Sequence, residues 1–183
     1  MLSSVIRHRN NGGGSLKEAI DLTGLFIKNG PVVQVKTSLN RTEVLNDEDP
    51  DLVYTGSLVV LINRFSASAS EIFAGAIQDY NRGVVVGESS YGKGTVQTMI
   101  DLDRFVQDKN EPAGSLKLTI QKFYRVNGSS TQNKGIIPDI KLPTALDSEQ
   151  FGESSNPGAL PWDEIRSTLY QTTPVVDTKI ISQ

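Results

Sequence analysis

A continuous apolar run, Leu58-Val59-Val60-Leu61-Ile62, stands between periodic and alternating segments. Such a run marks a strand covered on both faces in a mostly parallel sheet. A helix is expected from Ser68 or Ala69 to Tyr80, Asn81-Arg82-Gly83 closes it, and Val84-Val85-Val86 reads as the next buried strand. Strand, helix, strand in that order is a βαβ unit. Upstream, Leu16, Ala19, Ile20, Thr23 and Ile27 recur at helical spacing and predict a helix over 16–28. Ser15-Leu16-Lys17-Glu18 fits a capping box at its start, and Asn29-Gly30-Pro31 closes it. Val32 to Lys36 alternates as a strand, and the polar stretch 37–51 is a hairpin or loop. Residues 95–102 and 115–126 read as strands, the second alternating Leu116, Leu118 and Ile120 with polar partners. Asn127-Gly128 is a hairpin-turn dipeptide, and 135–142 reads as a short strand leading outward. Ser, Gly, Asn and Pro accumulate from Pro143 to Pro157, which predicts a surface linker; Trp162 is expected to anchor the tail, with the last dozen residues loosely held. The expected fold class is α/β, a mostly parallel β-sheet flanked by helices, with β-hairpins added toward the C-terminal side.

Composition narrows the function classes. With 183 residues, 37% of them hydrophobic, one ordinary core is expected, and no apolar run approaches the roughly 18 residues that span a bilayer. A net charge of −3 and a pI near 5.2, with basic residues scattered, argue against a nucleic-acid surface. The absence of cysteine excludes disulfides, thiolate zinc sites and cysteine nucleophiles. The single histidine, His8, leaves little room for Ser-His-Asp chemistry and reads as a surface residue near a terminus. No His/Asp/Glu spacing resembles a metal-ligand set. Met1 to Asn10 lacks the apolar stretch of about 7 residues that a signal peptide needs, so the chain reads as an excised piece.

The chemistry concentrates in two motifs, Asn63-Arg64-Phe65-Ser66-Ala67-Ser68-Ala69-Ser70-Glu71-Ile72 and Tyr91-Gly92-Lys93-Gly94-Thr95-Val96-Gln97. A serine hydroxyl is a poor nucleophile near neutral pH, and one way to activate it is a neutral amine within hydrogen-bond reach. A lysine can serve if burial disfavours its charge. Ser68 lies where the buried strand gives way to a helix, at the sheet edge where open α/β folds bind ligands. Composition alone leaves Ser66, Ser68 and Ser70 indistinguishable, because serine is also a favoured N-cap. Lys93 follows the strand 84–86 on a loop at the same edge if the two strands are parallel neighbours. A phosphate loop is the competing reading, since Gly87 to Lys93 has its glycine-to-lysine spacing. It meets Gly94 where a Mg²⁺-ligating hydroxyl belongs, and β-like residues where a helix belongs.

Together the two motifs resemble the tail-specific (C-terminal processing) proteases, a bacterial and plastid family of serine-lysine peptidases. The likeness runs from Arg9-Asn10-Asn11-Gly12-Gly13-Gly14 through Gly135-Ile136-Ile137-Pro138-Asp139-Ile140 and returns at Leu160-Pro161-Trp162-Asp163. The resemblance implies that Ser68 is the nucleophile, Lys93 the base, and Gln97 the residue that orients the lysine. It implies an oxyanion hole from the backbone amides of Ala69 and of Gly13 or Gly14. It also implies polypeptide substrates with exposed apolar C-termini, no cofactor or metal, no nucleic-acid partner, and a bacterial envelope location, in the periplasm. By this likeness residues 1–142 are a partial catalytic core and 143–183 a linker and tail packing on it, while the family's PDZ domain lies outside the chain. Arg7-His8-Arg9 stands where the family ends an apolar strand with an Asp-Leu-Arg-like sequence, so the first strand is expected to be missing or degraded. The alternative is a catalytically incompetent core that binds extended peptides along a sheet edge.

Overall fold

A computed structural model describes residues 3–106, 111–144, 146 and 150–172. Two four-stranded sheets pack against a common helix. The parallel sheet contains β1 (Ser3–Arg7), β4 (Ser57–Ile62), β5 (Val84–Gly87) and β8 (Ile140–Lys141), in the order β1-β4-β5-β8. The antiparallel sheet contains β2 (Gly30–Thr37), β3 (Thr42–Asp47), β6 (Thr95–Asp101) and β7 (Ser115–Tyr124), in the order β3-β2-β7-β6. Two helices, α1 (Leu16–Gly24) and α2 (Ala69–Asp79), complete the body. This is the α/β class expected, with the β4-α2-β5 unit parallel as read and the hairpins gathered into a sheet of their own.

Helix α2 explains the division. Its Ile72 and Ala76, with Tyr80 beyond its end, pack with Val33, Val35 and Phe123 of the antiparallel sheet. Its Phe73, Ala74 and Ile77 pack with Leu58, Val60, Ile62 and Val85 of the parallel one. A helix apolar on two faces has to be covered on both. The same rule shortens α1. Phe26 belongs to one core and Ile27 to the other, and adjacent residues on a continuing helix would diverge by only about 100°. The chain instead tightens after Gly24, with the Phe26 and Ile27 amides both donating to Thr23 O, so the helix ends four residues before the expected 28.

Three further expectations change. The first strand is present: Ser3 to Arg7 pair in register with Ser57 to Leu61. The backbone hydrogen bonds of that register, not an apolar sequence, set it, since its burial alternates with exposure. His8 is buried rather than on the surface, its ring 5.1 Å from that of Phe73. Burial lowers its pKa. At the start of α1, Ser15 Oγ accepts from the Glu18 amide at 3.4 Å, half of the capping box.

The tail returns across the body. Trp162 Nε1 donates to Ser130 O at 2.9 Å, and the Lys134 ammonium lies 3.4 Å from its ring centroid, so Trp162 anchors it as expected. The linker region contains a 3-10 turn, Glu153–Ser155, whose Glu153 amide donates to Tyr91 O. The final residues, 173–183, lie outside the described set. No described helix is long and apolar enough to cross a membrane.

Candidate active site

The turn from β4 into α2 sorts the three serines. Ser66 is fully buried; its hydroxyl donates to His8 O at 2.8 Å and accepts from the Asn63 amide at 2.9 Å. The Ser70 hydroxyl, also buried, donates to Asn11 O at 3.0 Å. Both tie the turn to the segment after β1. Ser68 instead lines an open cleft of about 330 Å³. Its backbone has φ 58° and ψ −115°, a conformation rare outside glycine that costs on the order of 1–3 kcal/mol. Something must hold it.

Glu71 does so. The carboxylate is fully buried and accepts four hydrogen bonds: Ser68 N (2.7 Å) and Lys93 N (3.0 Å) on Oε2, Gly92 N (2.7 Å) and Ser90 Oγ (2.6 Å) on Oε1. One side chain thus joins the serine turn to the lysine loop. Burial pushes its pKa up to about 7, against the pull of those four donors. A second buried group steadies the far side of the loop, where Gln132 Oε1 accepts from the Gly94 amide at 2.9 Å. Sequence reasoning singled out neither residue. For Glu71 the signal was available, because it stands three residues after Ser68, at capping-box spacing.

Lys93 is half-buried and lines the cleft of Ser68. Burial lowers its pKa first, and the charge of Lys117 lowers it further, while Glu153 and Glu71 act the other way. No hydrogen bond joins its amine to the Ser68 hydroxyl. Gln97 lines the same cleft, but its Nε2 turns to Thr119 Oγ1 at 3.5 Å rather than its oxygen to Lys93.

The glycine loop lies against the serine. A Cβ on Gly13 would come within 2.6 Å of Ala67 O and 2.8 Å of Ala69 N, and its φ is +95°. Its amide donates to Asn11 Oδ1 at 3.0 Å. Gly14, not Gly13, lines the cleft of Ser68 and Lys93, together with Ala69. Ala69 is the first residue of α2, where helices leave their amides without an intrahelical acceptor and partial positive charge accumulates. The arrangement offers a hydroxyl, an amine whose charge is disfavoured, and backbone donors around one cleft, which is equipment that acyl transfer can use.

The phosphate-loop reading ends here, since the residues after Lys93 form β6, not a helix. A larger apolar cavity of about 510 Å³ lies at the other end of α2, by Tyr80, and is lined by none of these groups.

Comparisons with known proteins converge on one family. The model of peptidase family S41 matches residues 3–142. A tail-specific protease of Haemophilus influenzae is 52% identical over 167 residues, 91% of this chain and 24% of that protein. A carboxy-terminal-processing protease of Bartonella bacilliformis is 38% identical over 81% of this chain and 32% of its own length. The chain therefore spans about a quarter to a third of these relatives. The solved photosystem II D1 C-terminal processing protease superposes with a TM-score of 0.65 at 31% identity, covering 79% of this chain and 36% of that one. Mature CPAF has a similar fold, with a TM-score of 0.61 at 15% identity.

Proposed function

The chain belongs to peptidase family S41, and on that premise we propose that it carries the site of a serine-lysine endopeptidase acting on polypeptides with accessible apolar C-termini. The observation that supports this most is the single cleft lined by Ser68, Ala69, Gly14, Lys93 and Gln97. Ser68 attacks a peptide carbonyl as Lys93 takes its proton. The Ala69 amide and that of Gly14 receive the developing oxyanion; Gly13 is the weaker candidate, its amide being engaged by Asn11. The lysine ammonium passes its proton to the departing amine, and water then attacks the acyl-enzyme under the same base. Gln97 steers the lysine once its amide turns from Thr119.

Residues 1–142 are read as part of the catalytic core and 143–183 as a linker and tail packed on it, with capture of the substrate C-terminus left to a PDZ domain outside this chain. The relatives from Haemophilus and Bartonella support a bacterial setting, and the periplasm is the compartment proposed.

A second reading is a peptide-binding module without catalysis. It is favoured by β6, which begins beside Lys93 and is the edge strand of the antiparallel sheet among the described residues, the kind of edge to which an extended peptide adds. Ser68→Ala separates the two. Loss of peptide hydrolysis with retained folding supports the peptidase, whereas undiminished hydrolysis in the variant sinks the assignment of Ser68. Tail-peptide binding by a wild-type protein that cleaves nothing gives the second reading the lead.

A further inference from the structure

The cleft of Ser68 and Lys93 holds a second cation. In the β6–β7 pairing Gln97 stands opposite Thr119 and Met99 opposite Lys117, and directly opposed residues of an antiparallel pair share a face. The contact of Gln97 Nε2 with Thr119 Oγ1 marks that face, and Lys117 lines the cleft along with Lys93. Lys117 is exposed and has no ion-pair partner among the described residues. Nor does any carboxylate among them line the cleft.

We propose that Lys117 is an electrostatic tuning residue of the serine-lysine pair: held at the cleft mouth by the strand register, its ammonium disfavours a second positive charge at Lys93. The proposal rests on the reading of Lys93 as the base. Three charged groups act on that amine from the elements around it. Lys117 of β7 opposes its protonation, while Glu153 of the 3-10 turn and Glu71 of α2 favour it. Glu71 is occupied by four donors and Glu153 by Gln132 Nε2 at 3.3 Å. Lys117 is the one of the three with no such commitment. Two ammonium groups facing one small cleft repel, so removing the outer one lets the inner one hold its proton to higher pH.

The test is the pH profile of kcat/KM for peptide hydrolysis by the intact protein. Lys117→Met moves the acid limb up by about half to one pH unit, the effect of a unit charge across a partly solvated gap. Lys117→Glu moves it further, and Lys117→Arg leaves it in place. The plateau at high pH stays within about twofold. Salt near 1 M shifts the wild-type limb upward relative to that of Lys117→Met, because only the wild type has the second ammonium for screening to remove. Limbs for Lys117→Met and Lys117→Glu within about 0.2 unit of wild type overturn the proposal. Lys93→Met keeps the two ideas apart. If that variant still hydrolyses peptide, the base assignment fails. If it is inactive and the Lys117 limbs do not move, the tuning role alone fails.

Discussion

Glu71→Gln is the substitution that tests the site most directly. The shape is kept, but one carboxylate oxygen becomes an amide NH₂ that must face two donors. On the Oε2 side these are the Ser68 and Lys93 amides; on the Oε1 side, Gly92 N and Ser90 Oγ. Each buried donor left unmet costs about 1–3 kcal/mol. The second effect depends on pH. Glu71 has its pKa raised from 4.5 to about 7, so the native state keeps the proton over an interval in which the unfolded chain has released it. Stability on this account is greatest below about 4.5, falls as pH rises to about 7, and is flat beyond. The full change is on the order of 3 kcal/mol. Glutamine has no such slope, so between pH 5 and 8 its stability deficit relative to wild type shrinks as pH rises. Chemical denaturation across that range measures it, and peptide hydrolysis at pH 8 measures the geometry. A drop of about 10²-fold in kcat/KM is expected, because displacement of the serine turn or lysine loop by a fraction of an ångström breaks their alignment. A deficit that stays constant from pH 5 to 8 would refute the protonation argument. Activity within threefold of wild type would refute the claim that this carboxylate holds the two loops together.

Gly13→Ala should destabilise by at least about 2 kcal/mol and abolish activity, since its φ is +95° and the new Cβ would meet Ala67 O at 2.6 Å and Ala69 N at 2.8 Å; thermal unfolding of the variant checks it. Gln132→Leu leaves the Gly94 amide buried without its acceptor, and should cost about 1–3 kcal/mol while lowering kcat more than it raises KM. Arg125→Met strands Asp79, whose carboxylate takes both Arg125 Nε and Nη2 and has a pKa raised by burial. The loss should be about 3–5 kcal/mol, should grow as rising pH ionises the unpaired acid, and should be largely recovered by adding Asp79→Asn.

The parts of the fold that a periodicity can express were legible. The run 58–62, the helix after it and the valines 84–86 announced the βαβ unit, and Asn127-Gly128 marked a turn that the structure keeps, with the Gly128 amide donating to Arg125 O. What escaped was set by long-range pairing. β1 has alternating exposure and no apolar run, and its place comes from hydrogen bonding to β4. The helix expected over 16–28 stops at Gly24 because Ile27, which fits its apolar stripe, and its neighbour Phe26 serve different cores. His8 looked like a terminal surface residue only because β1 had been discounted; once that strand pairs, Asn11 and Phe73 close over the ring. At the site, motif resemblance singled out Ser68 and Lys93. Glu71 carries a local signal, its capping-box spacing to Ser68, but its bonds to Ser90, Gly92 and Lys93, like that of Gln132 to Gly94, join segments distant in sequence that no local pattern reveals.

The same long-range logic determines where chemistry can occur. Ser68 follows a strand of the parallel sheet, whereas Lys93 sits in the connection by which the chain leaves that sheet at β5 and enters the antiparallel one at β6. The cleft therefore lies on the seam between two sheets that both pack on α2, and Glu71 belongs to that helix and reaches both sides. A carboxylate fully buried without a cation to pair with it is costly, and a fold would discard it if its purpose were stability alone. Its retention is intelligible if the seam must be held in register: four charge-assisted hydrogen bonds to one helix side chain fix a strained serine and the glycine-lysine-glycine loop relative to each other. The pKa near 7 is then the consequence of burial, which the amide and hydroxyl donors oppose with no cation to cancel it.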